Sequence, residues 1–224
     1  MLARRLLVWA TALLALVALL AVLEAATGLT EVDEAVGEVL VFHGSGPEIT
    51  ALKVLTAPGA EDVRYPILVP IAGFLLWFRR FRLAAFVAVP ALLIAPLNRL
   101  LKDITDRPRP SYAGTTVTAG DWSFPSGHAS GGAVLAGVLL VLLLPHASRR
   151  WRTAVTTVAV LGAVLIGWTR LALGVHYLSD VVAGLALGAA AVLLAAAALV
   201  PDRTQEIHSR RPGTSQSPRA LSPP

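Results

Sequence analysis

The sequence predicts an all-α integral membrane protein, a bundle of six transmembrane helices. Three observations carry that prediction. The 224-residue chain is 55% hydrophobic and only 15% charged, a balance too apolar for a soluble domain of this size. Six apolar segments approach the roughly 20 residues that a helix needs to cross a bilayer. Arginines cluster in alternate connections between those segments, the pattern by which membrane proteins mark their cytoplasmic side.

The first span, Leu6–Leu23, follows Arg4 and Arg5 and so has the outline of a secretion signal. Its apolar core of 18 residues exceeds the usual signal core of about 7–15, and no clear A-x-A site follows, so it reads as a retained helix. Thr30–Asp62 is a connection with Val32, Val36, Val39 and Leu40 set among acids, expected to form short helices on the membrane surface. The second span, Val63–Phe78, is interrupted by Arg64 and Pro70. The third, Leu83–Leu100, contains Pro90 and Pro96, which predict a kink that packed neighbours tolerate. Ala129–Leu144, Thr153–Leu171 and Val181–Val200 complete the six. Gly127 and Gly131, and Gly184 and Gly188, have the four-residue spacing of small residues that lets helices approach closely. Residues 1–200 are therefore one membrane domain. Residues 201–224, rich in Pro, Ser and Arg, are expected to be a disordered cytoplasmic tail.

Placing the N-terminus inside puts Arg4, Arg5, Arg79, Arg80, Arg82, Arg149, Arg150, Arg152, Arg203, Arg210, Arg211 and Arg219 in the cytoplasm, twelve of the nineteen basic residues. Both termini are then cytoplasmic in a multi-pass protein of the cell membrane. The net charge of +5 does not point to nucleic acid, because the cations are scattered over segment ends rather than gathered on a patch. The absence of cysteine excludes disulfides, thiolate metal sites and a cysteine nucleophile.

Three polar patches break the apolar chain, and this topology puts all of them on the external face. KDITDRPRP spans Lys102–Pro110, PSGH spans Pro125–His128, and RLALGVHYLSD spans Arg170–Asp180. Ionisable groups are costly near a bilayer and mark function there. His176 and Asp180, four apart, fall on one face of a helix, where a carboxylate fixes the imidazole tautomer and frees the other nitrogen. Lys102, Arg109 and Arg170 would repel one another without an anion between them, and the planar donor fork of arginine suits phosphoryl oxygens. Ser126, Gly127 and His128 open the fourth span, whose N-terminal N–H groups favour an anion. Gly127 admits close approach of the backbone, the Ser126 hydroxyl is a further donor, and His128 is placed to protonate a leaving oxygen. Arg99 and Arg107 are read as snorkelling toward headgroups. His43, His146 and His208 are read as solvated.

The combined pattern Lys102-x6-Arg109-Pro110, Pro125-Ser126-Gly127-His128 and Arg170-x5-His176-x3-Asp180 resembles the type-2 phosphatidic acid phosphatase superfamily. That family also includes soluble bacterial acid phosphatases and vanadium haloperoxidases. The one departure is Thr169, where serine is common, and it keeps the hydroxyl. The motif core is residues 102–180, and the six-span layout extends the resemblance over about 6–200. The resemblance implies catalysis by His176 as nucleophile, forming a phosphohistidine, with Asp180 orienting its ring and His128 as general acid and then base. It implies phosphate binding by Lys102, Arg109, Ser126, Gly127 and Arg170, with no metal and no cofactor.

The expected function is hydrolysis of a lipid phosphate or pyrophosphate at the outer membrane face, with polyprenyl pyrophosphate or a glycerolipid phosphate as substrate. The bilayer and that lipid are the expected partners, nucleic acid is not, and the sequence leaves the oligomeric state open. The loop 111–124 is expected to cover the site, with Tyr112, Trp122 and Phe124 at the membrane interface. A phosphotransferase using the same pocket remains an alternative. A non-enzymatic anion transporter fits less well, since its polar groups would lie nearer the midplane. A vanadate-holding haloperoxidase fits less well too, because relatives of that type are soluble.

Overall fold

A computed structural model of the chain describes residues 1–26, 29–112, 115 and 117–200. The expected cytoplasmic tail lies outside the described residues. Among those described, every regular element is helical: α1 (Leu2–Ala25), α2 (Thr30–Leu40), α3 (Pro47–Thr56), a 3₁₀ turn (Ala57–Gly59), α4 (Glu61–Trp77), α5 (Phe81–Thr105), α6 (Gly127–Leu143), α7 (Arg149–Ala172) and α8 (Leu178–Leu199).

The six predicted spans correspond to α1, α4, α5, α6, α7 and α8. By length and hydropathy α1, α5, α7 and α8 suffice to cross a membrane, while α6 is a shorter apolar helix of 17 residues. α4, also 17 residues, carries Pro66 and Pro70. α5 runs unbroken through Pro90 and Pro96. The connection after α1 forms the expected short helices, with Val32 and Val39 of α2 exposed.

α8 is the central helix. Of its apolar window 56% is buried, against 11% for α1, which packs on α8 from the periphery. Its glycines explain the tight seam with α6: a side chain at Gly184 would collide with the Ser126 carbonyl, and one at Gly188 with that of Ser130. The predicted small-residue spacing thus brings the backbones of α6 and α8 together. Phe86, Val87, Ile94, Val134, Val138 and Leu187 fill the space between these helices and α5.

Successive spans run in opposite directions, so the C-terminal ends of α1, α5 and α7 share one end of the bundle with the N-terminal ends of α4, α6 and α8. A cavity bounded by Glu61, Lys102, Gly127, Arg170 and His176 lies at that end. The opposite end gathers Leu2, Leu144, Pro145 and Val200. All three polar patches therefore meet at one end.

Candidate active site

Each polar patch is positioned by a helix terminus. α5 presents Lys102 in its last turn and stops at Asp106, whose φ of 47° turns the chain out of the helix. α7 delivers Arg170 in its last turn, and Gly174, at φ 67°, reverses the chain so that His176 returns to the same place. α6 begins at Gly127 after Ser126, so its free N–H groups point to this end of the bundle. Lys102, Arg109, Gly127, His128, Arg170 and His176 line one cavity of about 460 Å³. Nothing lies within 4 Å of where a Cβ on Gly127 would project.

His176 and Asp180 do pair, though not across a helix face. α8 starts only at Leu178, and Asp180, in its first turn, reaches back over the terminus. Its Oδ2 accepts the Tyr177 N–H at 2.9 Å and lies 3.3 Å from His176 Nδ1. Arg109 Nη1 lies 3.1 Å from His176 Nε2. A guanidinium can only donate, so Nε2 must accept and Nδ1 must carry the proton donated to Asp180. The lone pair thus sits on the nitrogen facing the cations. Burial holds the His176 pKa down at about 4, Asp180 opposes that shift, and the charges of Arg109 and Arg170 reinforce it. The ring is therefore neutral at ordinary pH.

Lys102 and Arg109 share a carboxylate that sequence reasoning missed. Asp121 lies 2.9 Å from Lys102 Nζ and 2.5 Å from Arg109 Nη2. Burial pushes its carboxyl up, but the hydrogen bonds from Lys102 and Arg109 outweigh this and hold the pKa at about 2. Lys102 also donates to the Trp122 carbonyl, and Arg109 to the carbonyls of Asp121 and Val175. Arg170 makes no ion pair among the described residues, and its Nε has no hydrogen-bond partner. Ser126 is fully buried with an unpartnered Oγ; its N–H donates to the Asp180 carbonyl at 3.0 Å, tying the second patch to the third.

Arg107 requires a correction. It does not snorkel: it is 2% exposed and stacks 4.1 Å above the Tyr177 ring. Nη1 donates to Asp180 Oδ1 at 2.6 Å and to Ser179 Oγ at 2.7 Å, Nη2 donates to Asp33 Oδ2 at 2.8 Å, and Nε is 3.6 Å from Glu24. Its cost of burial is offset by carboxylates from α1, α2 and α8. Ser123 also donates to Asp180 Oδ2, so this carboxylate is held on every side. The covering loop needs a correction as well. Trp122 is 42% exposed and Tyr112 half-buried over Gly37, but Phe124 is wholly buried in the core rather than at an interface.

The sequence model of the PAP2 superfamily matches residues 72–204, more than half of the chain and all three patches. The chain belongs to the PAP2 superfamily. A phosphatidylglycerophosphatase B of Bacillus subtilis (strain 168) is 29% identical over 158 residues, 70% of this chain and 77% of that one. An undecaprenyl-diphosphatase of Sulfolobus acidocaldarius is 31% identical over 128 residues, 54% of this chain and 58% of that protein. The crystal structure of a transmembrane PAP2 type phosphatidylglycerolphosphate phosphatase from Bacillus subtilis superposes with a TM-score of 0.74 at 25% identity, covering 90% of this chain and 97% of the other. This PAP2 protein is accordingly a membrane phosphatase with a helical-bundle fold, and the reading as a transporter falls away.

The PAP2 motifs were legible because they are contiguous. Asp33 was not, although it had a signal: it stands three, four and seven residues before Val36, Gly37 and Leu40, a carboxylate on the inward face of an amphipathic helix. Ser123 and Asp121 had none beyond their closeness to PSGH.

Proposed function

We propose that this chain hydrolyses a lipid phosphate or pyrophosphate through a phosphohistidine on His176. The observation that carries the reading is the direction of the His176 ring: Nδ1–H is engaged by Asp180, and Nε2 turns its lone pair toward Arg109 in the cavity that Lys102 and Arg170 also line. Nε2 attacks phosphorus in line, forming the P–N bond as the P–O bond to the lipid breaks. Lys102, Arg109, Arg170, the Gly127 N–H and Ser126 hold the equatorial oxygens. Such pre-aimed donors each contribute about 3–4 kcal/mol on single removal. His128 gives its proton to the departing oxygen, then takes one from the water that cleaves the P–N bond and releases phosphate. The cations offset the phosphoryl charge, so no metal enters the scheme.

The names of the two relatives support a phosphatidylglycerophosphate or polyprenyl diphosphate as substrate. The arginine asymmetry supports an external site, and the meeting of Lys102, His128 and His176 at helix ends supports a headgroup reached at the membrane boundary. The test is phosphate release by the purified chain across a panel of lipid phosphates in chelator, with rapid-quench trapping of acid-labile phosphate. Turnover by His176→Ala equal to wild type would end this reading.

A further inference from the structure

Arg64 belongs to none of the three motifs, yet it lines the same cavity as His128, Arg170 and His176. It projects from the first turns of α4 and is 1% exposed. Nη1 donates to the Gly59 carbonyl at 2.8 Å, Nε has no partner, and no carboxylate forms an ion pair with it among the described residues. The Tyr65 ring, 5.2 Å away, is a weak and partial offset. An uncompensated guanidinium at this depth is costly, so its retention on a cavity wall implies an anion supplied from outside.

Its depth says which anion. A side chain at residue 131 would collide with Arg64 Nη1, so the guanidinium lies against Gly131, three residues along α6 from His128. Asn98, four residues before Lys102 on α5, lines the cavity and donates to Ser130 at 2.8 Å. Arg64, Asn98 and Ser130 thus lie ~3–6 Å further into the bundle than His128 and Lys102. A lipid entering from the bilayer has its chain on that inner side, so the group bonded to the departing oxygen lies beside Arg64.

We infer that Arg64 forms a second anion subsite on the leaving-group side, holding the inner phosphate of a lipid diphosphate. The inference rests on the phosphohistidine reading above and specifies its substrate. Nε2 of His176 bonds the terminal phosphorus, the bridging P–O bond breaks, and its electron pair stays on the inner phosphate. The departing bridging oxygen takes the His128 proton, and the lipid monophosphate leaves with its remaining negative charge facing Arg64. Water then cleaves the P–N bond to give inorganic phosphate. A polyprenyl monophosphate loses only a protonated alcohol at that position and has no anion for Arg64 to meet.

The full-length protein in detergent is assayed for phosphate release from a polyprenyl diphosphate and from the monophosphate of the same chain length. Arg64→Gln should lower kcat/KM at least tenfold on the diphosphate and less than about threefold on the monophosphate. Arg64→Lys, which keeps the charge, should stay within about threefold of wild type on both. A Lys variant as impaired on the diphosphate as the Gln variant, or an equal fall on both substrates, would make Arg64 a helix-docking residue and overturn the subsite. In the wild-type protein, methylenediphosphonate should inhibit at least tenfold more tightly than inorganic phosphate; equal inhibition constants overturn the subsite even if no Arg64 variant folds. Phosphate release from neither lipid by the wild type would overturn the phosphatase reading itself, and the subsite with it.

Discussion

Replacing Arg107 tests whether the buried carboxylate cluster behind His176 governs catalysis. Arg107→Ala would leave Asp33 and Asp180, 2% and 0% exposed, facing each other without a cation. Breaking a buried pair in this way costs about 3–5 kcal/mol, a large share of the roughly 5–15 kcal/mol that keeps a domain folded, so that variant should fail to accumulate. Arg107→Lys keeps the charge but loses the planar fork that reaches Asp180 at 2.6 Å and Asp33 at 2.8 Å together. One charge-assisted hydrogen bond, worth about 1.5–3 kcal/mol, is lost at one of the two carboxylates. A lysine cannot span both carboxylates, so Asp180 loses part of its hold, His176 is no longer aimed, and kcat should fall about 10- to 150-fold. Arg107 does not line the cavity, so KM should stay within about twofold. Steady-state phosphate release gives both constants, and a thermal melt shows that the variant is folded. A folded Arg107→Lys protein with unchanged kcat, or with KM raised and kcat intact, would refute the positioning role.

Asp121→Asn removes a carboxylate, 61% exposed in its side chain, that occupies Lys102 and Arg109; inhibition by inorganic phosphate or vanadate should tighten several-fold, and weakened inhibition would show that Asp121 organises the cations instead. Because folded His176 resists protonation until about pH 4 whereas an unfolded imidazole takes a proton near 6.5, its contribution makes stability fall as pH drops from about 6.5 to about 4; melting curves of wild type and His176→Ala should diverge across that window and run parallel above it. Gly184→Ala should force α8 away from the Ser126 carbonyl and cost about 1–3 kcal/mol, read as a lower melting temperature together with lost turnover. Asp180→Asn should leave a small residual activity with a phosphohistidine that still forms slowly, whereas an undiminished rate would remove Asp180 from the mechanism.

Composition and local pattern were enough for the helical membrane class, the six spans and the family, because bilayer thickness and helix periodicity act on contiguous residues. The motifs were legible for the same reason: Lys102 to Arg109, Pro125 to His128 and Arg170 to Asp180 are each short runs at a span end. Alternation of spans by itself also assigns the three runs to one end of the bundle. Their environment was not legible. That Arg107 turns inward, that Asp33 crosses from α2 to meet it 74 residues away, and that Phe124 enters the core depend on how α1, α2, α5 and α8 pack. The pairing of Asp121 with both Lys102 and Arg109 depends on the fold of the loop after α5, and the placement of Arg64 beside Gly131 on the packing of α4 against α6. In the sequence a charged side chain shows only its type. Whether it faces water, a headgroup or a buried counter-charge is decided by which helices pack around it, since desolvation and pairing are properties of the assembled site.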